Sequence, residues 1–163
     1  MADAEPVRGA ERGRTVQFRP GAGSKAADRL RRHRDSFITD KDFAWLAAHG
    51  LNAVRLPVGY WVLENTPPFV TGAETLDRAL RQAGQHGIHV LVDLHGAPGS
   101  QNGNDHSGRQ GPINWPKHPE NIARTLDVVE QLAVFCKRYE NLLGIELLNE
   151  PRWDVPLDIL TDY

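Results

Sequence analysis

The feature that most constrains this chain is a repeat in which an amphipathic segment is closed by glycine and followed by a short, wholly apolar run. Thr39 and Asp42 have the spacing of a capping box, Phe43, Leu46 and Ala47 follow at helical intervals, and Gly50 supplies a left-handed stop. Leu51 to Val58 then reads as a buried strand, ended by Gly59-Tyr60-Trp61. The order recurs. Thr71 and Glu74 form a second capping-box pattern, Leu76, Leu80 and Ala83 mark a helix face, His86-Gly87 stops it, and Ile88 to Leu94 is a second apolar strand. Gly50 and Gly87 lie 37 positions apart, as a repeated α-then-β unit requires. A third cycle gives a helix from about Glu120 to Tyr139 and a strand from Leu142 to Leu148.

Strands apolar on both faces that alternate with amphipathic helices require a parallel sheet covered by helices. An open doubly wound sheet that binds nucleotides would carry a glycine-rich phosphate loop after a strand. The segment from Gly96 to Gly103 has the wrong spacing for one and contains Pro98. Arg55, His95 and Asn149-Glu150 instead fall at or near the C-terminal ends of successive strands, where a (β/α)8 barrel builds its active site. The expected class is therefore α/β, a (β/α)8 TIM barrel. A full barrel needs about 250 residues, so residues 36–163 are expected to form its first part, with roughly three to four βα units. Residues 1–35 are rich in Arg, Ala and Gly, with only Leu30 and Val16-Gln17-Phe18 to bury. They read as a poorly ordered arm leading into a short basic helix around Lys25 to Arg34.

Composition narrows the partners. Nineteen basic against 21 acidic residues leave a net charge of −2, which gives no electrostatic case for nucleic acid or an anionic membrane. No apolar run approaches the ~20 residues of a membrane span. Met1 to Arg14 lacks the apolar segment of a signal peptide, so the cytoplasm is the default expectation unless a leader precedes this chain. The single cysteine, Cys136, excludes an intramolecular disulfide and sits in a helical stretch as a small core residue. His86, His89 and His95 cannot meet on one ion, because a helix end and the far end of the following strand lie at opposite faces, and no metal is expected.

The sharpest local signal is Leu147-Leu148-Asn149-Glu150-Pro151, an apolar strand ending abruptly in an amide, a carboxyl group and a proline. A carboxylic acid half sheltered by a barrel mouth keeps its proton more readily, which suits the general acid of glycoside hydrolysis. Asn149 beside it could donate to a sugar 2-hydroxyl. The same tripeptide is also an ordinary strand-end turn. Arg55 in an apolar strand needs an anionic partner, either in such a site or in a plain salt bridge, for instance to Glu146. Tyr60, Trp61, Trp115 and Trp153 lie in or next to loops that follow strands, where aromatic rings either stack on sugars or simply pack the loop; Trp45, on the first helix, reads as core.

Three longer motifs carry a family resemblance: Asn52-Ala53-Val54-Arg55-Leu56-Pro57-Val58-Gly59-Tyr60-Trp61, then Asp93 to Gly103 followed by Ser107-Gly108, then Gly144 to Pro151. In this order they resemble the exo-β-1,3-glucanase branch of glycoside hydrolase family 5, over about residues 36–151. The resemblance implies a retaining (β/α)8 enzyme acting on β-glucans without metal or organic cofactor. It implies that Arg55 supports the catalytic centre and that His95 lines the subsite of the terminal sugar. It further implies that Asn149 contacts the 2-hydroxyl, that Glu150 is the acid/base, and that His106 borders the substrate. The family's nucleophile is a second glutamate on a much later strand, expected beyond position 163, so an N-terminal fragment is expected, one that alone hydrolyses glucans negligibly. Asn104 and His106 depart from the pattern, standing where an aromatic residue and an asparagine are frequent. The alternative expectation is a glucan-binding module without catalysis.

Overall fold

A computed structural model describes residues 24–163; of the segment 1–35 expected as an arm and short helix, residues 1–23, with Val16 and Phe18, lie outside the described residues. Five α-helices and three strands follow in chain order, with a 3-10 turn at Asp105–Ser107: α1 (Ser24–Phe37), α2 (Asp40–Ala48), β1 (Ala53–Gly59), α3 (Ala73–Gln85), β2 (His89–Gly96), α4 (Pro119–Cys136), β3 (Leu142–Glu146) and α5 (Leu157–Asp162). The strands form one parallel sheet in the order β1-β2-β3, as alternation with helices requires. Register runs from Ala53 opposite His89 to Val58 opposite Leu94, and Asp93 stands opposite both Pro57 and Glu146.

The first capping box forms: the Asp42 carboxylate accepts from the Thr39 N–H at 2.7 Å and from its hydroxyl at 2.8 Å. Gly50 and Gly87 close their helices with φ of 79° and 69°, where a side chain would be strained. The second box does not form. Gly72 caps α3, while the Thr71 hydroxyl donates to the Val62 carbonyl at 2.8 Å, so this threonine fastens a loop to the helix start. Helix α1 runs through residue 35, and the half-buried Arg34 donates to the carbonyls of Val70 (3.1 Å) and Thr71 (2.5 Å) ahead of α3.

The core lies between the sheet and α3 and α4, where Leu80, Ala83, Ile88, Val92, Leu94, Leu132 and Cys136 are wholly buried. Each leucine, isoleucine and valine among them contributes about 1.5–3 kcal/mol. Burial pushes the Cys136 thiol up to about 11, which fits its core role. Trp45 is not core: it is 58% exposed and stacks on His49, because Phe43 fills the buried position of α2. A second, smaller cluster of Ala97, Trp115 and Val155 packs under the loops at the C-terminal end of the sheet.

Candidate active site

Side chains alternate across a strand. Val54, Leu56 and Val58 pack against the core, so Arg55 projects from the opposite face of β1, and Asp93 and His95, two apart on β2, share a face. Arg55 gathers the three strands. Its Nε and Nη2 donate to the two carboxylate oxygens of Glu146, both at 2.7 Å, and Nη2 also donates to Asn149 Oδ1 at 2.8 Å. Asp93 Oδ2 lies 3.1 Å from the same Nη2 and 2.6 Å from His95 Nδ1. The salt bridge to Glu146 and the link to the strand-end amide, weighed as alternatives from sequence, therefore coexist. The paired guanidinium holds the Glu146 carboxyl below the usual carboxylate range, and the carboxylate in turn raises Arg55. Burial raises Asp93, against the opposing pull of the His95 hydrogen bond.

The strand-end backbone is held from the loop after β2. The buried Gln101 amide donates to the carbonyls of His95 and Asn149, both at 2.9 Å, and accepts from the Ala97 N–H at 3.1 Å. Asn102 donates to the Glu150 carbonyl at 3.1 Å, and the Asn149 N–H reaches the Leu94 carbonyl at 2.9 Å. β3 stops at Glu146, before the expected Leu148, and the chain meets β2 again where the Asn149 N–H reaches Leu94. Glu150 has φ of 44°, a left-handed conformation costly for a residue that precedes proline.

Of the residues singled out in sequence, Arg55 bonds Asn149 directly and is linked to His95 through Asp93. His106 joins them from the loop, its ring 5.0 Å from the His95 ring and its Nε2 3.8 Å from Glu150 Oε2. The expected shelter of Glu150 is absent among the described residues: its side chain is 71% exposed, because the three strands wall the strand end on one side only. Trp153 is open, at 91% exposed. Trp115 is a correction: fully buried, with its indole N–H donating to Thr125 Oγ1 at 2.9 Å, it belongs to the second core and offers no face to a sugar. Trp61 stacks flat on Phe69 at 3.7 Å with Tyr60 edge-on, and its ring packs so tightly over Gly59 and Gly108 that a Cβ at either would lie within 2.6 Å of it.

Sequence reasoning named Glu146 as a salt-bridge partner for Arg55, a pairing the structure forms, but passed over Asp93, Gln101 and Asn102 as site residues. The alternation of β2 could have found Asp93, since it shares a face with His95; nothing local ties Gln101 to a strand end distant in sequence.

Charged and amide groups collected at the C-terminal ends of consecutive parallel strands, with helices on the other side, define the (β/α)8-barrel class. The model of the family described as Cellulase (glycosyl hydrolase family 5) matches residues 11–157. The chain belongs to glycosyl hydrolase family 5. It is 45% identical over 148 residues to a probable glucan 1,3-beta-glucosidase A of Emericella nidulans, covering 85% of this chain and 36% of that protein. To glucan 1,3-beta-glucosidase 1 of Schizosaccharomyces pombe it is 41% identical over 146 residues, covering 85% and 36%. The chain thus spans about a third of the length of the curated relatives it matches. Among solved structures, rutinosidase from Aspergillus niger shares the fold with a TM-score of 0.69 at 23% identity, covering 79% of this chain and 38% of that one. An endoglucanase from Pseudomonas stutzeri, solved with cellobiose, aligns with a TM-score of 0.55 at 26% identity, covering 73% and 34%.

Proposed function

We propose that these residues supply the acid/base half of a retaining hydrolase of β-glucans, with exo-β-1,3-glucanase-like action. The observation that carries this is Asn149-Glu150 at the end of β3 with the amide oriented from below. A guanidinium only donates, so Asn149 must turn Oδ1 toward Arg55; its Nδ2 then points away, buried and without a partner among the described residues. That N–H is the donor a sugar 2-hydroxyl requires.

Glu150, next in the chain, gives its proton to the glycosidic oxygen as the bond to the anomeric carbon breaks. It then accepts a proton from the water that hydrolyses the glycosyl intermediate. The attacking carboxylate is assigned to another part of the whole protein. The names of the two relatives, both glucan 1,3-beta-glucosidases, support a β-1,3-glucan as substrate.

The test is Glu150→Gln in the whole protein. Laminarin hydrolysis should fall by about 10²- to 10⁴-fold, the usual contribution of a positioned proton donor. An aryl glucoside with an acidic leaving group should be cleaved with less loss, and azide should restore turnover and yield the β-glucosyl azide. Unchanged laminarin hydrolysis would refute the assignment. Calorimetric binding of laminari-oligosaccharides by a wild type without turnover would favour the binding-module alternative.

A further inference from the structure

Asp93 has no solvent exposure, yet it holds two groups of the candidate site at once. The two protons of Arg55 Nη2 are taken by Glu146 Oε1 (2.7 Å) and Asn149 Oδ1 (2.8 Å). The 3.1 Å contact with Asp93 is therefore charge attraction without a hydrogen bond of its own. Asp93 Oδ1 is buried with no partner among the described residues, and the hydrogen-bonding group that Asp93 Oδ2 does meet is His95 Nδ1, at 2.6 Å. A carboxylate withdrawn from water requires a donor. The other charged or titratable groups near the pair are Arg55 on β1, Glu146 on β3, and His106 on the loop, with Glu150 beyond it. Nε2 of His95 has no hydrogen-bond partner among the described residues, and its side chain is 23% exposed.

We infer that Asp93 is a positioning residue that fixes His95 as the Nδ1–H tautomer, leaving Nε2 as a hydrogen-bond acceptor for a sugar hydroxyl. The carboxylate selects the tautomer because a proton between two acceptors binds both, whereas a bare imidazole nitrogen facing the carboxylate would set two lone pairs against each other. His95 then receives a hydroxyl proton while Asn149 donates, so the two side chains read opposite ends of hydroxyl dipoles. The consequence for substrate rests on the glycosidase reading; the tautomer does not.

Two-bond proton–nitrogen correlation spectra of the histidine-labelled chain, at about pH 8 where unpaired imidazoles are neutral, read the tautomer directly. His95 is assigned by the signal lost in His95→Gln. The expected result is Nδ1–H in the wild type and a shift to Nε2–H in Asp93→Leu, which fills the space without a hydrogen-bond acceptor. Nε2–H or an imidazolium in the wild type, or an unchanged tautomer in a folded Asp93→Leu, would overturn the inference; should that variant not fold, the wild-type spectrum decides alone. In the whole protein, Asp93→Asn should lower kcat/KM about 10- to 100-fold, the scale on which orienting partners of functional histidines act in metal sites. It should add nothing in a His95→Gln background, and additive losses would overturn the role. A wild type inert toward glucans would sink the glycosidase reading and leave the spectral result standing.

Discussion

Arg55, Asp93 and Glu146 lie at the same end of the sheet as Glu150, His106 and Trp153, but the protein treats the two groups differently. In the first, most donors and acceptors face another strand, and Asp93 is closed off from water. In the second, Glu150 and Trp153 are 71% and 91% exposed, and His106 Nε2 stands 3.8 Å from the Glu150 carboxyl group. Buried charge must be paired within the protein, whereas a group that exchanges protons with a substrate must be left unsatisfied. The floor of the site is thus part of the fold, and the rim is carried on it.

The sharpest way to break this contrast is to truncate two tryptophans. Trp115→Ala in the buried cluster should cost about 3–5 kcal/mol and lower the melting temperature by at least 6 °C, roughly. Trp153→Ala should stay within about 0.5 kcal/mol, with any loss confined to glucan binding. Equal effects in thermal unfolding would erase the distinction between floor and rim.

Arg55→Met tests the floor itself. Removing one partner of a fully buried ion pair costs roughly 3–5 kcal/mol; with the guanidinium 39% exposed, about 2 kcal/mol is expected here. The loss should depend on pH with a defined sign. Arg55 depresses Glu146, so that stabilisation is present above the ordinary glutamate range and disappears as pH falls through the lower folded value. Asp93, raised by burial, is more easily neutralised than an exposed aspartate, which also relieves the variant in acid. The gap between wild type and variant should therefore narrow as pH falls below the ordinary glutamate value of about 4.3, and a gap that stays constant into acid would show that the ion pairs contribute nothing to it.

The smallest effect belongs to the backbone under Glu150. A left-handed non-glycine residue costs about 1 kcal/mol, so Glu150→Gly should raise the melting temperature by roughly 2–4 °C while abolishing the proposed acid. A fall in melting temperature would mean that the conformation at φ 44° carries no strain.

Much of the fold was legible because it is written locally. The glycine stops at Gly50 and Gly87, the Thr39–Asp42 box and the apolar strands all emerged near their expected positions, since each depends on neighbours a turn or a pleat away. Thr71 does not form the expected box because α3 begins one residue later, with Gly72 at the N-cap; its hydroxyl donates to the Val62 carbonyl and accepts from the Ala73 N–H. Trp115 and Trp45 show the same limit: whether an indole is covered depends on which distant segment crosses it, and here α4 and the C-terminal segment cover Trp115, whereas among the described residues Trp45 is stacked by His49 of its own helix end and stays 58% exposed.

What the amino-acid sequence determined by itself is the alternation of helices and apolar strands, hence a parallel sheet, and the placing of Arg55, His95, Asn149 and Glu150 at one end of it. Periodicity and strand polarity suffice for that. Only the tertiary structure decided that Asp93 and Glu146 complete the charge network, that Gln101 ties two strand ends together, and that the Asn149 amide turns its donor away from Arg55. Those facts depend on register and on which polar groups are shut away from water, and both are properties of strands brought together from distant parts of the chain.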